Sequence, residues 1–355
     1  MIQGRPIRAG FITPSLYWGG AERWLHDLAL FTQGIIYWTG CAVTHPLYQD
    51  NTMRRKIGQL MPIFGYGRKA VQHVAQAADV MIAWGTDGLK ELVNGYEGKV
   101  VFVAHGSGPF DHRVARYSIS GATHLAAVSQ KATDSYKGLT PLEDIAILHN
   151  GINPDRCQIT WSRAEVRDTL SLGKNEFAVG YLGRLAPEKN LITMAKAIKI
   201  LPERFRGVWV GDGYDEENQK NAIRREIGSR AIFHPRVEHV GNYLQAFDAF
   251  VLVSPTEGFS LSILEAMLVG VPVVCTNVGA MPELERQHGR RWESVSYPTT
   301  ARDLAEAILR IEAMSQEARL GMTQDCRKIV ESDFLAEHMA ARWMKYLNRI
   351  MGDGQ

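Results

Sequence analysis

Short apolar runs rich in β-branched and aromatic residues return along this chain with helical or turn segments between them, and this alternation constrains the fold more than any other feature. In the first part the runs are RAGFIT, GIIYWTGCAVT, DVMIAWG, KVVFVAHG, HLAAVS and DIAILHNG. Such runs, followed by helical patterns, predict βαβ units and a mostly parallel sheet covered on both faces. The pattern lapses between about Pro154 and Asn175 into the polar, mixed stretch PDRCQITWSRAEVRDTLSLGKN. A second series then begins: FAVGYLGR, GVWVGDG, IFHP, AFVLVSP, PVVCTN and SVSYP. Two Rossmann-like, doubly wound α/β domains are therefore expected, at residues 1–157 and 176–331, joined by a linker over 158–175.

From about Ala301 the chain reads as helix throughout, with apolar faces at Leu304, Ala307, Ile308 and Ile311 and then at Met339, Trp343, Leu347 and Ile350. Ser332 and Asp333 offer a cap between the two groups, and the helix 332–351 is expected to return and complete the N-terminal domain. No stretch of about 18 apolar residues is present, and the apolar run before Thr13 and Pro14 is too short for a signal peptide. Four cysteines without a CxxC pair argue against a zinc site or a disulfide framework, and fit a reducing cytoplasm. With Lys+Arg 40 against Asp+Glu 38, the net charge of +2 gives no whole-molecule attraction for nucleic acid, so any basic partner surface is local.

In open parallel sheets ligands bind beyond the carboxyl ends of the strands, so the loops there are the candidates for chemistry. The most informative is PTEGFSLSILEAMLVGVPVVCTN, residues 255–277, where a strand runs into a loop with Glu257 and Gly258 and a helix starts near Ser260. The N–H groups of that helix start suit a phosphate, and Glu257 and Glu265 could accept hydroxyls at either end of a bound diphosphate. An ordinary capped helix with two solvated glutamates is the alternative. In GYLGRLAPEKNL, residues 180–191, a helix is expected from around Pro187, with Arg184 as a planar fork and Lys189 as a mobile charge for phosphate oxygens; the alternative is a pair of surface cations. YWGGAER, with Gly19 and Gly20, and VAHGSG, with His105 at a strand end, are weaker signals, since glycines punctuate turns and strand-end histidines are commonly structural. HNGIN at 149–153 and VGDGYDEE at 210–217 are glycine-containing strand exits.

Taken together, in this order, these segments resemble the GT4 family of retaining glycosyltransferases with the GT-B fold, with VSQKATDSY at 128–136 adding to the match. The resemblance implies two Rossmann-like domains facing a central cleft, and an EX7E motif with Glu257 first and Glu265 second. It implies that Glu257 contacts the donor sugar, Glu265 the ribose, Arg184 and Lys189 the diphosphate, and His105 the transferred sugar. Backbone at Phe259, Ser260 and Leu261 would meet the sugar and phosphates, and Gly19 and Gly20 would approach the donor from the first domain. The implied activity is hexosyl transfer with retention from a UDP- or GDP-linked sugar to an acceptor hydroxyl, with no metal and no cofactor beyond the sugar nucleotide. Ala280 in NVGAMPEL departs from the family's usual second glycine, and the short first domain lacks long acceptor loops. A catalytically silent sugar-nucleotide-binding protein, or an epimerase or phosphorylase on the same fold, remain alternatives at this stage; the lack of GxGxxG after the first strand disfavours a nicotinamide enzyme.

The segment 53–69, MRRKIGQLMPIFGYGRK, sets Arg54, Arg55, Lys56, Arg68 and Lys69 around Ile57, Leu60, Met61, Ile63 and Phe64. It reads either as a peripheral contact with an anionic membrane, on the inner face of the bilayer, or as a solvated helix face over a core stripe. The acidic group Asp212, Asp215, Glu216 and Glu217 reads as a solvated helix start.

Overall fold

The computed structural model describes residues 5–45, 50–106, 112–139 and 145–352, in two compact units: Met1–Gly151 with Ala336–Gln355, and Ile152–Leu335. Among the described residues the first unit holds seven strands, β1 (Ile7–Thr13), β2 (Ile36–Val43), β3 (Ile63–Tyr66), β4 (Val80–Ala83), β5 (Lys99–Ala104), β6 (His124–Ala127) and β7 (Ile145–Ile147). They form one parallel sheet in the order β3-β2-β1-β4-β5-β6-β7. Strand β3 lies inside the segment read as a candidate membrane contact. Pro62 and three nearby glycines hide it in the sequence, yet its register against β2 is set by Cys41 opposite Ile63 and by the Cys41 N–H on the Pro62 carbonyl at 2.8 Å.

The core of this unit is aromatic. Phe11 on β1 stacks on Trp38 at 4.4 Å between centroids, and Trp24 of the helix Gly20–Phe31 meets Phe11 and Trp84 edge-on. The last helix, Ala336–Met351, belongs here: Trp343, fully buried, lies 5.4 Å from Trp24, and Arg342 donates to the His149 carbonyl. Removing a side chain of that size from such a site costs about 3–5 kcal/mol. Ser332 does not cap this helix. The preceding helix, Gln316–Asp333, runs through it, Ser332 Oγ donates back to the Ile329 carbonyl, and the break falls at Phe334 and Leu335.

The second unit holds β8 (Phe177–Leu182), β9 (Phe205–Val210), β10 (Ala231–His234), β11 (Ala249–Leu252), β12 (Val273–Thr276) and β13 (Glu293–Val295), parallel in the order β10-β9-β8-β11-β12-β13. The order reverses at β8 and β11, so their carboxyl ends flank the switch point where a ligand crevice opens. Residues 158–175, expected as a linker, are part of this unit. Ser162 and Glu165 form a reciprocal capping box at the start of the helix Arg163–Thr169. Arg163 and Arg167 of that helix reach Asp248 at 2.7 and 3.2 Å, and the N–H groups of Thr160 and Trp161 donate to Asn242 Oδ1. The polarity that made the stretch look like a linker is that of caps and ion pairs.

Among the described residues no helix is long and apolar enough to cross a membrane. Within 53–69 there is no continuous helix but the short helix Asn51–Gly58, then β3, then the start of Gly67–Ala75. Met53, Ile57 and Met61 are buried in the unit's interior, while Arg55, Arg68 and Lys69 are exposed. The apolar side is thus committed to the core, and a cationic face remains.

Candidate functional site

The loop after β11 carries Glu257 and ends at Ser260, the N-cap of the helix Leu261–Val269. Ser260 is extended (φ −77, ψ 109) but its hydroxyl makes no capping bond and lies 3.3 Å from Ser262 Oγ. The first-turn N–H groups are therefore not taken by a capping side chain, and they carry the positive end of the helix dipole. Glu257, Ser260, Ile263, Thr276, Val278 and Met281 line a small cleft at this helix start. Gly279, in the loop after β12, packs against the backbone of the Glu257 loop: φ is +61, and a Cβ there would sit 2.6 Å from the Glu257 carbonyl oxygen. Only glycine allows that approach without strain.

Neither glutamate is solvated, which removes the bland alternative. Glu257 is 14% exposed at its side chain, and its Oε1 lies 2.6 Å from Lys189 Nζ, itself 17% exposed. Glu265, in the second turn of the helix, is fully buried, and its Oε1 accepts from Arg156 Nε at 3.2 Å. Burying a carboxylate costs several kcal/mol unless a cation or hydrogen bonds replace its water, so both positions are built rather than incidental. Phe259 and Leu261 bury their side chains, Phe259 packing 5.5 Å from Phe334.

Arg184 follows β8 and pairs with Glu188 at 3.3 Å; Glu188 also accepts from Tyr214 Oη at 2.7 Å. Tyr181, buried on β8, donates to the Arg184 carbonyl at 2.8 Å, and burial beside Glu257 keeps its phenol protonated by raising its pKa well above 10. The turn after β9 presses against this loop. At Gly211, φ is +147 and a Cβ would collide with the Gly183 carbonyl, so the GDG segment serves close packing of two loops. The α-helix expected from Pro187 starts later. Pro187–Lys189 form a single 3-10 turn, and Asn190 adopts a left-handed conformation (φ 54, ψ 38) before the helix Leu191–Ile200. The Asn190 amide accounts for the break, since it donates to the Val253 carbonyl at 3.2 Å and accepts from Thr193 Oγ1 at 2.8 Å. This joins the Lys189 turn to the end of β11.

Of the acidic group at 212–217, Asp215 accepts from Asn218 and Gln219, and Asp212 lies 3.5 Å from Arg236. Among the described residues no group of three or more His, Cys, Asp or Glu side chains is placed to hold a metal ion. The four cysteines are buried free thiols, and burial pushes Cys41 and Cys326 up to about 12.

The other expected residues lie in the first unit. Gly19 is the N-cap of the helix Gly20–Phe31; a Cβ on it would meet Glu22 Oε2 at 2.6 Å, while one on Gly20 would meet nothing. His105 follows β5, wedged against Trp24 at 4.6 Å and Trp84 at 5.9 Å. Its Nε2 is enclosed without a hydrogen-bond partner among the described residues, and burial lowers its pKa to about 3. The imidazole is neutral at physiological pH. Ser107 and Gly108 of VAHGSG lie outside the described residues.

The sequence of most of the second unit matches a known family. A model described as glycosyl transferases group 1 covers residues 176–313. Residues 176–313 are a glycosyl transferases group 1 domain. A Bacillus subtilis protein provisionally named as the teichuronic acid biosynthesis glycosyltransferase TuaC is 32% identical over 215 residues, 60% of this chain and 52% of that protein. The Escherichia coli O-antigen biosynthesis glycosyltransferase WclY is 23% identical over 63% of this chain and 61% of its own length. The chain thus spans about half to three fifths of these relatives. Among solved structures, Anabaena HepE in complex with UDP and glucose superposes with a TM-score of 0.83 at 20% identity, over 96% of this chain and 99% of HepE. WaaG, a glycosyltransferase involved in lipopolysaccharide biosynthesis, does so at 0.73 and 16% identity, over 97% and 100%. These likenesses establish the fold: two parallel-sheet, Rossmann-like units of the GT-B type.

Sequence reasoning passed over Arg156, Tyr181, Asn190 and Tyr214. Arg156 sits 109 residues before its partner, in the stretch read as polar and mixed, and no local pattern marks such a pairing. Asn190 did carry a signal, because asparagine is among the few residues that tolerate a left-handed conformation.

Proposed function

We propose that this chain is a retaining glycosyltransferase that moves a sugar from a UDP- or GDP-linked donor to an acceptor hydroxyl without a metal. The observation that carries this reading is the largely enclosed Lys189–Glu257 pair beside the uncapped start of the helix Leu261–Val269. A cation and oriented N–H groups suit a diphosphate, and a carboxylate beside them suits the hydroxyls of a sugar linked to it. HepE, the neighbour in fold, is bound to UDP and glucose in its crystal structure, which supports the same ligand class here.

In the proposed mechanism Glu265 accepts the ribose hydroxyls and Glu257 a hydroxyl of the donor sugar. Arg184, Lys189 and the helix N–H groups hold the diphosphate. The bond from the anomeric carbon to the diphosphate oxygen breaks, the acceptor oxygen bonds to the same face, and its proton passes to the leaving phosphate. Negative charge grows on the diphosphate as that bond breaks, so preorganised donors there lower the barrier more than they strengthen ground-state binding. Neutral His105, pressed between indoles, is assigned to a hydrogen bond with the transferred sugar rather than to proton transfer near pH 7.

Incubation with a panel of UDP- and GDP-sugars tests the reading. Release of free nucleoside diphosphate is expected from at least one donor. An epimerised donor would point to an epimerase, and binding without turnover, with saccharide acceptors and phosphate supplied, to a silent binding protein.

A further inference from the structure

Glu265 owes its placement to a residue far from it in sequence. It is fully buried in the helix Leu261–Val269, and its Oε1 is held by Arg156 Nε at 3.2 Å, with the arginine side chain only 13% exposed. Arg156 comes from the 3-10 turn Pro154–Cys157, which is tied down at its start and against two helices. Asn153 caps it, accepting from the Asp155 N–H at 3.0 Å, and the Ile152 N–H just before it donates to the Phe334 carbonyl at 2.9 Å. The turn packs against the helices Leu261–Val269 and Val240–Leu244. The second contact is so close that a side chain on Gly241 would strike the Cys157 carbonyl. A guanidinium on a platform of this kind restricts where the carboxylate it holds can sit.

We infer that Arg156 is the positioning residue for Glu265: it holds that carboxylate aimed at the ribose hydroxyls of the donor nucleotide, and so sets the site's preference for a ribonucleotide. This rests on the reading of Glu265 as the ribose contact. An ion pair serving only to hold the turn to the helix would affect stability and leave ligand preference alone.

The two roles separate by calorimetry on the full chain, with UDP and GDP and their 2′-deoxy counterparts as probes. For the nucleotide that binds, the wild type should favour the ribose form. Glu265→Gln should remove that preference. Arg156→Met should reduce it by at least about tenfold, the worth of a charged hydrogen bond, while inorganic pyrophosphate affinity stays unchanged. Arg156→Lys, which keeps the charge and the fold's volume, should restore part of the preference and carries the test if the methionine variant fails to fold. Loss of the preference in Glu265→Gln with full preference in both Arg156 variants would overturn the role of Arg156 and leave the donor reading standing. Full preference in Glu265→Gln itself, or a wild type that binds neither nucleotide, would overturn the donor reading and this inference with it.

Discussion

Lys189→Ala perturbs the pair on which the proposed chemistry turns. In the structure Nζ lies 2.6 Å from Glu257 Oε1, with 17% and 14% of the two side chains exposed, between a surface pair and a fully buried one. An exposed pair would be worth about 0–1 kcal/mol, and breaking a fully buried one costs about 3–5 kcal/mol. At this exposure the orphaned Glu257 should cost about 1–3 kcal/mol, the usual range for stranding a desolvated polar partner. The lost cation should further raise the barrier by about 2.7–4 kcal/mol, as removal of one preorganised donor does elsewhere. Chemical denaturation reads the first cost and single-turnover release of nucleoside diphosphate from the preferred donor the second, and the cycle Lys189→Ala, Glu257→Gln and the double variant apportions the first between the two side chains. Glu257→Gln removes the stranded charge, so the double variant should lose about 1–3 kcal/mol less than the two singles added together. Additivity within about 0.5 kcal/mol would mean the two side chains act independently, and an unchanged kcat in Lys189→Ala would remove the lysine from the mechanism.

Three further outcomes follow from particular contacts. His105, whose pKa falls from about 6.5 unfolded to about 3 folded, binds fewer protons when native, so its contribution to stability is complete above pH 6.5 and is lost as pH falls toward 3. Acid unfolding curves should show His105→Gln less sensitive across that window, and the wild-type rate should show no inflection near pH 6.5 from this group; equal acid sensitivity would contradict the assignment. Gly211→Ala drives a methyl into the Gly183 carbonyl at φ +147 and should cost more than about 1 kcal/mol of strain, lowering the melting temperature and donor affinity together; a variant with both intact would refute the account of the GDG turn. If the exposed cations Arg55, Arg68 and Lys69 meet an anionic membrane, co-sedimentation with anionic vesicles should fall away at high salt and in the triple alanine variant; no binding at low salt would dispose of the contact.

The fold was legible because buried parallel strands are written as continuous apolar runs, and among the described residues twelve of the thirteen strands fall in runs visible in the sequence. Strand β3 escaped because it is four residues long, half-buried and bracketed by Pro62 and glycines. The helix Arg163–Thr169 escaped because capping boxes and ion pairs look polar in one dimension. At the site, the positions of Glu257, Ser260 and Glu265 could be read from strand, loop and helix spacing, but their partners could not. Lys189 meets Glu257 across 68 residues and Arg156 meets Glu265 across 109, and such pairings are fixed by topology rather than local pattern. The sequence likewise shows two cations near a helix start, whereas only the structure shows each held by a glutamate.

The stereochemical course of donor turnover in the presence of excess chelator tests the central claim most directly. With an anomerically pure donor chosen from the UDP- and GDP-sugar panel, proton NMR within the first minutes of reaction reads the anomeric configuration of the sugar as it is transferred, to acceptor or to water. The account predicts nucleoside diphosphate release that survives the chelator and a product sugar that first appears in the donor's own configuration. A product that first appears inverted, or turnover that stops with chelator and returns with manganese or magnesium, would contradict it.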